Sequence, residues 1–209
     1  MILKRNFYQE ETLNVAKSLL GCFLVHKIGN RIIKGIITET EAYIGEKDLA
    51  CHASRGRTKR TETMYGEAGQ AYVYMIYGMY HCLNVVTGKK NFPAAVLIRG
   101  VKPLVTIRTN SSIRKNNFDN KLVLDGPGKI CRHFQIDRKL NGWDLARGEK
   151  LWIVRPGFLR QPEAGQPLAE IRLWRKRYKI KKSKRIGIDY AGHCRHYLWR
   201  FHIEPERQF

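Results

Sequence analysis

Residues 71–86 read A-Y-V-Y-M-I-Y-G-M-Y-H-C-L-N-V-V. The residues up to Tyr77 alternate with the two-residue period of a strand, Y-G-M-Y turns the chain, and His81 to Val86 return, which spells a β-hairpin. Tyr72, Tyr74 and Ile76 share one face, and Val73, Met75 and Tyr77 the other. An alternating aromatic strand reads as sheet core, and Tyr72 is expected there. Tyr77 sits at the turn, where a side chain protrudes. Asn84 is a polar residue between Leu83 and Val85, which suits a structural hydrogen bond unless a site lies nearby.

Outward from the hairpin, Cys22–His26, Ile32–Tyr43 and Ala94–Arg99 carry the same richness in Ile, Val, Tyr and Thr. Leu151–Val154 and Leu198–Ile203 read as further strands. Leu13, Ala16 and Leu20 recur at helical spacing ahead of Gly21, so a short helix is expected over Thr12–Leu20. Asp125–Phe134, D-G-P-G-K-I-C-R-H-F, reads as a turn opening a helix. Asn110–Asn120 and Arg160–Gln166 read as loops. Neither an internal repeat nor a linker divides the chain, and 209 residues suit one domain, 1–209, with its own core.

The charge is unusual. Thirty-nine Lys and Arg against eighteen Asp and Glu give +21, which draws a protein to polyanions, nucleic acid first among them. Nine of the fourteen residues in Arg172–Arg185 are basic and none is acidic. Trp174 and Tyr178 interleave them, which suits contact with a phosphate backbone as well as a solvated surface. No stretch approaches the ~18 apolar residues of a membrane span, and the N-terminus lacks the pattern of a signal peptide. The five cysteines, Cys22, Cys51, Cys82, Cys131 and Cys194, have no metal-ligand spacing. A reduced, cytoplasmic protein without metal or cofactor is expected.

The chemistry concentrates between Thr38 and Gly100. In T-E-T-E-A-Y the two-residue period puts Glu39, Glu41 and Tyr43 on one face, the carboxylates ~7 Å apart. At that spacing each disfavours the other's charge, so one of the pair is expected to hold its proton more tightly. His52 opens a basic loop with Arg55, Arg57, Lys59 and Arg60, suited to a backbone phosphate or a substrate edge. Arg99 closes the apolar strand A-A-V-L-I-R, where a guanidinium needs an anionic partner, and Glu41 would serve.

These stretches resemble the alkyladenine (3-methyladenine) DNA glycosylase family. The resemblance is carried in order by I-T-E-T-E-A-Y-I-G, C-H-A-S-R-G-R-T, the hairpin, V-L-I-R-G, D-G-P-G-K-I-C and R-I-G-I-D-Y-A-G, from about Phe7 to Phe201. It implies one α/β domain of the α+β kind: a curved mixed, mainly antiparallel β-sheet, surrounding helices and a protruding β-hairpin. It also implies an enzyme that flips a damaged purine from duplex DNA and hydrolyses its N-glycosidic bond. On that resemblance Glu41 activates water and Arg99 helps position it. Tyr43 stacks on one face of the base, with His52 and Tyr74 on the other. Asn84 stands at the pocket wall and Tyr77 fills the gap left in the duplex. No lysine stands among the matched site residues to attack the sugar, which implies base release without strand cleavage.

A monomer acting on double-stranded DNA is expected. Its compartment is the cytoplasm, at the nucleoid in a bacterium, or the nucleus in a eukaryote. One departure from the family stands at Leu198, where a proline is expected before W-R-F; His193, Arg195 and His196 make the same segment more basic. Two rivals are a non-catalytic nucleic-acid-binding protein on the same scaffold and an RNA-modifying or ribosome-associated protein. A carboxylate at Glu41 argues against a pure binder, because phosphates repel it.

Overall fold

The computed structural model describes residues 1–104, 107–108, 123–155 and 178–205. The expected loops at 110–120 and 160–166, and the first part of the basic stretch, lie outside these residues. One curled sheet gathers every strand described. In spatial order it runs β3 (Ala71–Ile76), β4 (Tyr80–Val86), β5 (Ala94–Pro103), β2 (Arg31–Ile44), β1 (Phe23–Ile28) and β8 (Leu151–Val154). β10 (Arg200–Pro205) pairs with β2 and with β9 (Tyr178–Ser183), while short β6 (Ile107–Arg108) and β7 (Leu124–Asp125) pair with β2 and β5. All of these pairings are antiparallel. Among the described residues the α-helices are few and short: α1 (Arg5–Tyr8), α2 (Thr12–Leu19) and α3 (Pro127–Phe134). No helix among the described residues is long and apolar enough to cross a membrane.

Local chemistry explains the elements. α2 buries Thr12, Val15, Ala16 and Leu19 against the sheet. α3 starts with proline at its first turn, where the absent N–H costs nothing, and ends on Gln135 in the left-handed region. Tyr8, Leu19, Leu24, Ile37, Leu83, Ile98, Phe134 and Phe201 are all fully buried in the main core. Several expected boundaries move. β5 continues past Arg99 to Pro103, β10 begins at Arg200 instead of Leu198, and β3 ends one residue before Tyr77.

β2 organises the site. It has fourteen residues, and Glu39, Thr40, Glu41 and Ala42 are all buried, which replaces the expected in-out alternation. The reason is cover on both faces. Thr40 Oγ1 donates to Ala16 O of α2 at 2.9 Å, while Arg99 and the 184–190 segment close over the glutamates. The β2–β5 register also slips twice. Ile37 pairs with Val101, Glu39 with Gly100, and Thr40 with Ile98, so Thr38 is extra on β2 and Arg99 is extra on β5. Such bulges re-aim side chains, and Arg99 is the residue re-aimed. Gly100 makes the double slip possible, because a Cβ there would meet Glu39 Cβ at 2.7 Å.

Candidate active site

A cavity of 520 Å³ opens between the β3–β4 hairpin, the ends of β2 and β5, and residues 186–190. It gathers all seven side chains singled out in the sequence: Glu41 and Arg99 at depth, Tyr43, His52, Tyr74 and Asn84 along the walls, and Tyr77 at the rim. Exposure runs from 1% at Glu41 to 85% at Tyr77.

Glu41 is held on every side. Oε2 accepts from the Tyr43 hydroxyl at 2.8 Å, Oε1 accepts from the Ile186 backbone N–H at 2.9 Å, and Arg99 Nε lies 3.4 Å from Oε1. Burial dominates its acidity and raises its pKa above the ordinary carboxylate value, against the two hydrogen bonds and Arg99, which lower it. Repulsion from Glu39 raises it too, but is the smallest of these influences. The sequence reading therefore had the direction right and the leading cause wrong. Arg99 meets both glutamates, Nη1 lying 3.1 Å from Glu39 Oε1.

The wall is aromatic. His52 and Tyr74 pack edge to face with centroids 4.5 Å apart, and the Arg60 guanidinium lies 5.3 Å from the Tyr74 centroid. His52 Nδ1 is 2.9 Å from the Tyr72 hydroxyl, so Tyr72 both fills the core and anchors a cavity residue. Burial first, and the Arg60 charge second, push the His52 pKa down to about 4. At neutral pH His52 is thus an uncharged wall group, which favours the substrate-edge alternative of its loop over the phosphate one. Its folded pKa lies below the unfolded ~6.5, so stability is full above that value and declines as the pH falls towards 4. Its imidazole resonances should not titrate above pH 5 in a proton-detected NMR series; a midpoint between 6 and 7 contradicts this environment. Asn84 Nδ2 donates to Tyr72 O at 3.1 Å, so the structural bond and the pocket position coincide.

Tyr77 and Gly78 form the hairpin turn with φ of 51° and 69°. Positive φ is natural for glycine but costs a tyrosine about 1–2 kcal/mol. The tip nonetheless presents its ring to solvent, and strain of that kind is characteristic of functional positions.

Sequence reasoning missed Arg185. It closes the basic stretch, yet its side chain is fully buried in a two-pronged pair with Asp48 at 2.6 and 2.8 Å. It lies 4.7 Å from the Tyr43 ring centroid and 5.1 Å from that of Trp199. This pair fixes the Tyr43 wall and carries the next residue, Ile186, to Glu41. The only sequence sign was its place at the head of R-I-G-I-D-Y-A-G. The described lysines of the basic stretch, Lys179, Lys181, Lys182 and Lys184, are exposed. At Leu198, where the family's proline was expected, the side chain is also exposed. Among the described residues no cluster of His, Cys, Asp and Glu has the makings of a metal site.

A family described as methylpurine-DNA glycosylase matches residues 6–207. The chain belongs to the methylpurine-DNA glycosylase family. It is 41% identical to a Clostridium perfringens protein over 99% of its own length and 98% of that protein's. To a Methanocella arvoryzae protein it is 43% identical, covering 96% and 92% of the two. A Clostridioides difficile relative is 38% identical, covering 97% and 100%. All three are provisionally named 3-methyladenine DNA glycosylase. The stretches that carry the resemblance converge on the cavity. I-T-E-T-E-A-Y supplies its depth, C-H-A-S-R-G-R-T and the hairpin its walls, V-L-I-R-G its arginine and R-I-G-I-D-Y-A-G its backbone donor.

Proposed function

We propose that this chain is a monofunctional DNA glycosylase that turns alkylated or deaminated purines out of duplex DNA and hydrolyses their N-glycosidic bond. The class includes 3-methyladenine, hypoxanthine and ethenoadenine. The observation that carries this reading is a buried carboxylate, Glu41, at the depth of an aromatic cavity on a strongly basic protein. A base within a duplex is out of reach of such a carboxylate, so it must be extruded, at a cost of a few kcal/mol that a damaged pair lowers.

In the cavity Tyr43 stacks on one face of the base and His52 with Tyr74 on the other, returning about 1–3 kcal/mol. A cationic alkylpurine gains further from tyrosine faces. Glu41, steered by Arg99, takes a proton from water as that water attacks the anomeric carbon. The bond from that carbon to the purine nitrogen breaks, and the bonding pair leaves with the base. Asn84 excludes the 2-amino group of guanine by occupying its space. Tyr77 enters the vacated stack, as apolar wedges do from the minor groove. The backbone remains intact. The whole chain acts as one domain and as a monomer, in the compartment that holds the DNA.

The test is base release. Duplexes carrying single hypoxanthine or ethenoadenine residues, and methylated DNA for 3-methyladenine, are incubated with the protein and the free base is chromatographed. Release of damaged but not normal purines is expected. Tight binding without release would favour the non-catalytic reading instead. For Tyr77→Ala we expect lesion-duplex affinity and single-turnover excision both to fall, by roughly tenfold, matching the loss of one stacking contact. Wild-type values for both would remove the wedge role.

A further inference from the structure

Two charged side chains stand behind the cavity wall without lining it. Glu39 is buried on β2, and its Oε1 is shared between Arg99 Nη1, at 3.1 Å, and Arg200 Nε. Arg200 sits on β10 directly across from Glu41 in the β2–β10 register, and its Nη1 reaches Ser183 Oγ on β9 at 3.3 Å. The charges therefore alternate along Arg200, Glu39, Arg99 and Glu41, two positive and two negative. Arg99 is the shared link, one nitrogen facing each carboxylate.

We propose that Glu39 and Arg200 are a positioning pair that sets how much of the Arg99 charge reaches Glu41, and so the protonation and aim of that carboxylate. The proposal rests on the reading of Glu41 as the base. A guanidinium cannot shed its proton, so a half-buried Arg99 must divide its charge between whatever carboxylates it touches. With Arg200 gone, Glu39 keeps only Arg99 among the described residues and draws it away, and the cluster becomes net negative. With Glu39 neutralised, Arg99 turns wholly to Glu41 and the cluster becomes net positive. The other groups facing Glu41 are Tyr43 on its own strand, the Ile186 N–H, and Arg185, which is committed to Asp48. Among the described residues none of them touches Glu39, so the pair acts on Glu41 through Arg99.

The experiment measures kcat, KM and the acid limb of kcat for Arg200→Met, Glu39→Gln, Arg200→Lys and the double variant. Arg200→Met should raise the acid limb by about one pH unit and Glu39→Gln should lower it by about as much. Misplacement of Arg99 in Arg200→Met should cut kcat by up to ~10²-fold while KM for the lesion duplex stays near wild type. Restored neutrality should return the limb of the double variant towards wild type, and Arg200→Lys should leave it nearly unmoved. Both single variants moving the limb in one direction, or changing KM alone, overturns the proposal. If Arg200→Met fails to fold, the downward shift in Glu39→Gln and the unmoved limb in Arg200→Lys decide it. Flat limbs beside an inactive Glu41→Gln overturn the pair only, whereas an active Glu41→Gln overturns the base reading on which it rests.

Discussion

Replacing Glu41 by Gln is expected to lower the single-turnover rate of base excision by about 10²–10⁴-fold, the usual contribution of a positioned general base. Affinity for a lesion-bearing duplex should stay within a few-fold of wild type. The two expectations have separate causes. A glutamine carbonyl can still accept the Ile186 N–H that now reaches Glu41 at 2.9 Å, so the cavity keeps its shape. It cannot take a proton from water. Binding does not suffer, because a carboxylate near DNA phosphates is repelled and its loss costs no attraction. The wild-type pH profile follows from the same site. Burial raises the Glu41 pKa above its reference of 4.5, and the proposed reaction needs the ionised form. Excision should therefore fall with acidity through a limb above the ordinary carboxylate range, measured with a duplex whose own pairing is stable over the interval. A limb at or below the reference value contradicts the buried environment.

Asp48→Ala is expected to destabilise the protein by about 3–5 kcal/mol, the cost of leaving one member of a buried ion pair uncompensated. Both side chains of the pair are fully buried, and Asp48 is the carboxylate that balances the Arg185 charge in its two-pronged contact. Asp48 also accepts from the backbone N–H groups of Ile44 and Ala50, at 3.3 and 3.1 Å, so its loss strips two further bonds. For a chain of this size the melting temperature should fall by on the order of 10 °C. Calorimetric melting is the check, and a shift below about 2 °C would mean that the site relaxes around an unpaired guanidinium. Activity should fall as well, because Arg185 supports the Tyr43 ring.

The chain shows much of this fold in its local chemistry. The hairpin around Tyr77, the β8 strand at Leu151–Val154 and the proline-started helix α3 depend on residues close in sequence, so pattern and turn chemistry suffice to place them. Several residues proposed for the site also stood out, because they break local rules: glutamates in a strand, an arginine after V-L-I, a tyrosine at a turn. What stayed hidden depends on pairing across the sheet. The extra residues Thr38 and Arg99 exist only relative to a partner strand, and so does the placement of Arg200 opposite Glu41. Arg185 was hidden for a different reason. A basic residue at the end of a basic run reads as surface, and nothing local reveals that Asp48, 137 positions away, receives it. β9 was hidden likewise, its four exposed residues Lys179–Lys182 resembling an unstructured charge run.

The central claim is that this protein releases a damaged base and leaves the strand whole, with Glu41 at the reacting centre. The direct measurement uses one end-labelled duplex with a single hypoxanthine or 3-methyladenine, given to wild type and to Glu41→Gln in parallel. Strand length is read before and after hot alkali. The account predicts an intact strand before alkali in both, and a cut after alkali with the wild type alone. A cut before alkali, or equal alkali-dependent cutting by both proteins, would contradict it.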